Sequence, residues 1–493
     1  MAIQLLERPV LRRARVLASP RSLPVLLGFV GFLISFAASW VPSFWGDEAA
    51  SVMSAERSIP SLFRMLTTVD AVHGTYYLLL HFWIGMFGSS ELSVRLPSAL
   101  AIAAAVSGTY LIGKRLAGRR TAIAAAIVMA VMPRTTFMGA EARSSALATA
   151  IAVWLTVLLI ELVQEHTTSR QAWIAYSILL TIGIYVFLYM VLLAVAHGVY
   201  VLLVNRQRIV RLILATILAV VASAPVAYFS LSERQQVAFL VNHPPTLQSV
   251  FVSQWFDVPW VAAAAWAAIV AGLVVAWRRR DSRLVAVALP WLVVPTLILV
   301  LASFLVIPSY DTRYVSLSVP GVALLIGAGV AAIPWRRASI SALGLLVLLS
   351  VPSYVVQRGQ YAKDGGNDWR QASAFIAAHA HPGDAVMFDN SVRPSRTERI
   401  ALRVYPQYYV GLQDVELSVP FQDTSGLWDQ TVPIRTDPQR LRGVTTVWLL
   451  DERHSADDTT GTDRHDLAAL GFSVDTVTVI HRSVVYELTR PFS

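Results

Sequence analysis

Apolar runs of about twenty residues recur along the chain as far as position 356, and each needs an internal partner for every backbone N–H and C=O. "LPVLLGFVGFLISFAA" (23–38) and "WLVVPTLILVLASFLV" (291–306) carry no charge at all. In hydrocarbon only a helix or a closed barrel meets that demand. The runs are continuous rather than alternating, which selects helices. Composition agrees: 55% of the 493 residues are hydrophobic and 14% charged, against about 25% charged in soluble domains. The chain therefore reads as a polytopic α-helical membrane protein. Candidate spans fall at roughly 23–41, 92–113, 119–134, 144–164, 172–187, 189–204, 209–230, 259–277, 284–306, 315–333 and 338–356, about eleven in all.

A net charge of +9 would suit a nucleic-acid binder, but no basic and aromatic surface motif accompanies it. Excess Lys and Arg instead sets topology in cytoplasmic loops. With "RPVLRRARVLASPR" inside, alternation puts "GKRLAGRR" (113–120), "QEHTTSRQ" (164–171), "NRQRIVR" (205–211), "WRRRDSR" (277–283) and "PWRRAS" (334–339) inside too. Counting "YYLLLHFWIGMFG" (76–88) as a span would break that agreement. Short and rich in aromatics, it reads as an interfacial or re-entrant helix within a long first external loop, 42–91. No small-residue cleavage site follows the first run, so it reads as an uncleaved span. Cysteine is absent, which excludes disulfides and thiolate metal sites.

From about 357 the composition becomes that of a soluble domain. "DWRQASAFIAAHAHPGDAVMFDN" predicts a helix, a turn and a strand; 445–451, 474–480 and 484–489 predict further strands, the last two antiparallel, and a short helix ends at Gly471. The expected division is a bundle at 1–356 and an extracytoplasmic α/β domain at 357–493. His379, His381, Asp384, Asp389, Asp451, His454 and His465 are scattered over its turns without metal-ligand spacing. A packing, lid or acceptor-guiding role is expected of them.

Ionisable residues gather instead at the external ends of spans: Asp47, Glu48, Asp70, His73, Arg95, Glu141, Arg143, His243, Asp311 and Arg313. Each alone reads equally as a solvated loop charge. Asp47 and Glu48, in "FWGDEA", stand at the mouth of the first span beside Trp45. Partial desolvation there raises carboxylate basicity, as a general base requires. Glu141 and Arg143 open the fourth span, where an acid also suits the helix dipole. Arg313 and Tyr314, in "SYDTRYVSLSVPG", supply a guanidinium fork and a phenol suited to phosphate, or else an interfacial anchor pair. Together they predict an external cavity at the lipid boundary for a lipid-linked, phosphate-bearing substrate.

In these stretches the chain resembles the GT-C integral-membrane glycosyltransferases, nearest to the family-39-like branch of protein O-mannosyltransferases and the lipid A aminoarabinose transferase. The resemblance rests on "FWGDEA", "HGTYYLLLHFWIGMFGSSELSVRLPSAL", "GAEARSSAL", "DTRYVSLSVPGVALLIG" and "DWRQASAFIAAHAHPGD", in that order. One departure is His-Gly at 73–74, where the branch commonly has paired prolines. The resemblance implies a GT-C fold and a polyprenyl-phosphate-linked sugar donor used on the outer face with inversion. It makes Asp47 the general base, assisted by Glu48. Arg313 and Tyr314 would hold the leaving phosphate, with Arg143 and Arg95 as second choices. Asp70, His73, Glu141, Tyr185, Tyr189 and His243 would line substrate, although Tyr185 and Tyr189 also fit an interfacial belt.

No cofactor is expected. A divalent cation (Mg²⁺, Mn²⁺ or Ca²⁺) on Asp47, Glu48, Asp70 and His73 is the alternative. The expected acceptor is a cell-envelope glycan, glycolipid or protein. The Ala-, Val- and Arg-rich composition points to a GC-rich genome; in actinobacteria such enzymes commonly use decaprenyl-phosphate mannose or arabinose. Mannose is the first expectation and arabinofuranose the second. Two rivals are a lipid-linked-sugar transporter, which would carry midplane charges and paired halves, and a non-catalytic binding protein.

Overall fold

Every expected span has its helix in the computed structural model, which describes residues 22–164, 169–233, 239–389, 394–453 and 462–491. The basic N-terminal stretch, positions 165–168 and His454 lie outside the described residues. The chain divides into two compact units, Met1–Ala37 with Arg95–Val355 and Ala38–Val94 with Val356–Ser493.

The first unit is a helical bundle. Glu91–Ala117, Ser145–Gln164, Pro259–Arg279, Arg283–Leu305 and Arg336–Val356 are long and apolar enough to cross a bilayer. Arg206–Ala222 and Ala224–Ser230 form a sixth such segment, bent by 57°. Several others are shorter than the sequence predicts, for local reasons. The run expected at 23–41 is helical only over Leu23–Phe36, because Ala37 turns extended (ψ 126°) and Ala38 takes φ 54°. The helix expected at 119–134 stops at Val131, since Met132 precedes Pro133 and is held extended (ψ 136°). The segment expected from 315 begins as a 3₁₀ turn, Ser316–Ser318, before the helix Val319–Ala332.

The basic loops converge on one end of this bundle. Arg115 Nε donates to Gln164 Oε1 (3.2 Å), Asn205 Nδ2 to the Val163 carbonyl (3.2 Å) and Arg120 Nη2 to the Ile333 carbonyl (3.3 Å). At the packed centre, small residues let backbones touch. A Cβ at Gly327 would meet the Ala125 nitrogen at 2.6 Å, and one at Gly329 the Ala268 carbonyl oxygen at 1.8 Å.

The second unit joins the first loop to the C-terminal region, rather than to the bundle with which its sequence position grouped it. A mixed sheet carries it: β1 (Ala385–Phe388), β2 (Gln413–Asp414), β5 (Thr446–Glu452), β6 (Ser473–Val479) and β7 (Ser483–Thr489), in the order β2-β1-β5-β7-β6. β1 runs parallel to β2 and β5; β7 runs antiparallel to β5 and β6. A separate antiparallel pair, β3 (Leu417–Val419) and β4 (Gln430–Thr431), lies outside the expected strands, as does β2; all three are two or three residues long.

The first loop adheres through buried polar groups. Arg57, fully buried, donates to the Thr424 carbonyl (3.0 Å) and to the Gly426 carbonyl. Burial pulls its guanidinium down to about 10, so it stays charged at neutral pH. Tyr405 OH accepts from Phe44 N (2.8 Å) and donates to Glu91 Oε1 (2.7 Å).

Glu416, beside β1, is fully buried and accepts from Phe388 N at 3.0 Å. Burial pushes its carboxyl from 4.5 up to about 8. The folded unit thus holds a proton that the unfolded chain releases. The associated stability is complete below about pH 4.5 and is lost as pH rises through 8. Glu416→Gln is expected to flatten that slope, read as amide exchange in β1 between pH 6 and 9.

Candidate functional site

In the loop unit the helix Gly46–Glu56 starts after an extended Trp45 (φ −125°, ψ 172°). Its first turn carries Asp47 and Glu48, where unsatisfied N–H groups and the helix dipole favour negative charge. Glu48 is fully buried and Asp47 half-buried. The approach is anchored on both sides: Asn367 Nδ2 donates to the Phe44 carbonyl at 2.6 Å, and Ser51 Oγ to the Asp47 carbonyl at 3.1 Å. Gly46 has no room for a side chain, since a Cβ there would lie 2.1 Å from the Ser395 carbonyl oxygen. Chain packing, rather than solvent, therefore fixes the Asp47 backbone.

Asp70 and His73 meet through Tyr77, which the aromatic pattern of 76–88 marks only for the membrane interface. Tyr77 is fully buried; its OH donates to Asp70 Oδ2 at 2.6 Å, and its ring lies 5.9 Å from the His73 ring. Asp70 takes the left-handed conformation (φ 59°), which a short polar side chain tolerates.

In the bundle unit a second cluster forms at the end opposite the basic loops. Asp311 Oδ1 accepts from Arg313 N (2.8 Å) and Nε (3.3 Å), which aims the guanidinium while leaving the side chain 37% exposed. The Tyr314 ring stacks on Tyr189 at 4.8 Å and 27°. Glu141 is buried, and its carbonyl accepts from Ser98 Oγ at 2.6 Å. Arg143 is half-buried and Arg95 fully buried. Glu141 and Arg143 precede the helix Ser145–Gln164 in a turn instead of opening it.

Arg134 is the residue that sequence reasoning missed here. It donates through Nε to the Gln254 carbonyl (2.9 Å) and through Nη2 to the Ser253 carbonyl (3.3 Å). Asp311, Glu141 and Arg313 all lie within its electrostatic reach. The available signal was "MPRTTF", a cation directly after the proline that ends a span. Gln254, also buried, accepts from Tyr310 OH at 3.0 Å.

Two further expected residues make local contacts. Tyr185 OH donates to the Ala222 carbonyl (3.2 Å), at the bend between two helices. His243 is exposed and bonds its own turn through the Phe239 carbonyl at 3.0 Å. Among the described residues no group of three or more His, Cys, Asp and Glu is placed to hold a metal ion.

A family model described as dolichyl-phosphate-mannose-protein mannosyltransferase matches residues 75–229. No curated protein matches the chain in sequence. Among solved structures, ArnT from Cupriavidus metallidurans bound to undecaprenyl phosphate is similar over 95% of this chain and 98% of its own, with TM-score 0.59 and 14% identity. Its apo form matches at TM-score 0.57 and 14% identity, over 94% of this chain and 97% of its own. The mycobacterial arabinofuranosyltransferase AftD matches at TM-score 0.49 and 16% identity, over 96% of this chain and 40% of its own.

Proposed function

We propose that this chain, which has the fold of the GT-C integral-membrane glycosyltransferases, moves a sugar from a polyprenyl-phosphate-linked donor to a hydroxyl of a cell-envelope acceptor. The observation that carries the reading is the partly exposed, Asp311-aimed guanidinium of Arg313 beside the stacked Tyr314. Such a fork and phenol suit a phosphate on which charge develops as it leaves. Support also comes from ArnT, whose structure holds undecaprenyl phosphate, and from the mannosyltransferase family model.

In this reading the acceptor oxygen attacks the anomeric carbon as Asp47 takes its proton. The bond from that carbon to the phosphate oxygen breaks, and polyprenyl phosphate departs with the bonding electron pair toward Arg313 and Tyr314. Attack opposite the leaving group inverts the anomeric centre. Glu48 orients the acceptor or shares its site with Asp47; Arg134, Arg143 and Arg95 add positive potential; Asp70, His73, Glu141 and Tyr189 shape substrate contacts. Mannose is the first choice of sugar and arabinofuranose the second, with the reaction on the extracytoplasmic face. No resident cation is assigned. A cation on the first-loop acids would instead reveal itself by loss of transfer on chelation.

Arg313→Gln is expected to weaken donor binding about 10- to 100-fold, the worth of one hydrogen bond to a charged group. Equilibrium binding of labelled donor measures it. The function itself is tested with purified protein in sealed proteoliposomes, given polyprenyl-phosphate mannose or arabinofuranose and a hydroxyl acceptor. Sugar transfer with anomeric inversion and release of polyprenyl phosphate is expected. Donor that crosses the bilayer unconsumed would overturn the reading in favour of a transporter.

A further inference from the structure

Far from that cluster, at the basic end of the bundle, two neighbouring helices leave a groove of ≈470 Å³. The helix Arg170–Val186 lines it with Arg170, Trp173, Ile174 and Ser177, and the helix Ile209–Ala222 with Arg211, Leu214, Ala215 and Leu218. Both sets follow i, i+3, i+4, i+7 spacing, so each helix presents one continuous face. The two arginines therefore share one end, and the apolar walls run about 10 Å from them. Ser177 Oγ donates to the Ala215 carbonyl at 2.8 Å and closes the groove floor.

Among the described residues no acid offsets the charge at the mouth. Neither helix contains an acid, and among the described residues neither guanidinium has an acidic partner. Both helices begin at that end, so their dipoles add positive potential. Trp173 in the groove wall is 6% exposed, and its indole Nε1 has no hydrogen-bond partner among the described residues. Below it Ile174, Leu214 and Leu218 are 42%, 61% and 56% exposed. A charged mouth, an unused donor and an apolar trough fit an amphiphile with an anionic head.

We propose that this groove binds one anionic glycerophospholipid, its phosphate on Arg170 and Arg211 and one acyl chain along Ile174, Ala215 and Leu218. Cations pooled at a helix-pair end are the pattern by which membrane proteins hold acidic headgroups. The apolar walls commit the site to lipid rather than to free phosphate. This site is independent of the transfer reaction.

Native mass spectrometry of the full chain with equimolar phosphatidylglycerol and phosphatidylcholine tests it. One phosphatidylglycerol is expected to stay bound, about tenfold in preference to phosphatidylcholine, and millimolar inorganic phosphate should not displace it. Arg170→Gln with Arg211→Gln should abolish the preference, while Arg170→Lys with Arg211→Lys keeps most of it. Ala215→Phe, which retains both charges, should expel the lipid by filling the trough. Equal retention of the two lipids, meaning boundary lipid only, would overturn the proposal. So would a preference that survives the glutamine pair, or displacement by inorganic phosphate. Should the glutamine pair not fold, the Ala215→Phe result decides alone.

Discussion

Asp47→Asn lowers the transfer rate about 10²- to 10⁴-fold, the usual contribution of a positioned proton acceptor, and leaves donor affinity within about twofold. The substitution keeps the size of the side chain and its place in the first helical turn, so packing around Gly46 and Ser51 is preserved. It removes only the capacity to accept the acceptor's proton. Single-turnover transfer and equilibrium donor binding, measured side by side, separate the two effects. Loss of donor binding together with rate would move Asp47 from the chemistry to the binding of phosphosugar. An unchanged rate would support the non-catalytic reading.

Asp368→Ala is expected to destabilise the unit containing the sheet by about 3–5 kcal/mol, the scale for stripping a buried charged acceptor from its donors. Asp368 is fully buried at the start of the helix Trp369–His379. Its Oδ2 accepts from the backbone N–H groups of His481 (2.8 Å), Arg482 (2.9 Å) and Ser483 (3.0 Å), and its Oδ1 from Ser483 Oγ (2.6 Å). One carboxylate thus ties the helix to the turn that enters β7. Ser483 Oγ also lies 3.0 Å from Glu398 Oε2; burial pushes that carboxyl well up, with Asp368 adding to the rise, so the carboxyl O–H donates to Ser483 Oγ. Asp368→Asn can turn its amide oxygen to the three N–H groups and its NH₂ to Ser483 Oγ, so it should recover part of the loss while lacking the charge. Hydrogen exchange in β5 and β7 measures the loss. A change below about 1 kcal/mol, the worth of a single ordinary hydrogen bond, would contradict this assignment.

The helices were legible because a lipid-facing run declares itself by composition. Their ends were not, because the breaks at Ala38 and before Pro133 act on backbone angles that apolar content does not record. In the sheet, β1, β5, β6 and β7 follow β-branched and apolar runs, whereas β2, β3 and β4 are too short to carry a pattern. The first loop's union with the C-terminal region depends on Arg57 reaching carbonyls more than 360 positions away, and nothing local to Arg57 announces it. In the two clusters, Asp47, Glu48 and Arg313 stood out as charges bordering apolar runs. Arg134 and Tyr77 did not, since a loop arginine carries no signal of its own and a tyrosine in an aromatic stretch reads as an interface anchor. Their roles come from the long-range contact of Arg134 with Gln254 and from the left-handed turn that brings Asp70 to Tyr77.

The central claim, that the acid-bearing first loop works on the extracytoplasmic face, is open to one direct measurement. The chain has no cysteine, so Thr67→Cys in the loop and Ala117→Cys in a basic loop, both at exposed positions, introduce the only thiols. A membrane-impermeant maleimide added to intact cells should label Thr67→Cys and reach Ala117→Cys only after lysis. Labelling of Ala117→Cys in intact cells, with Thr67→Cys protected until lysis, would place Asp47 in the cytoplasm and contradict the account.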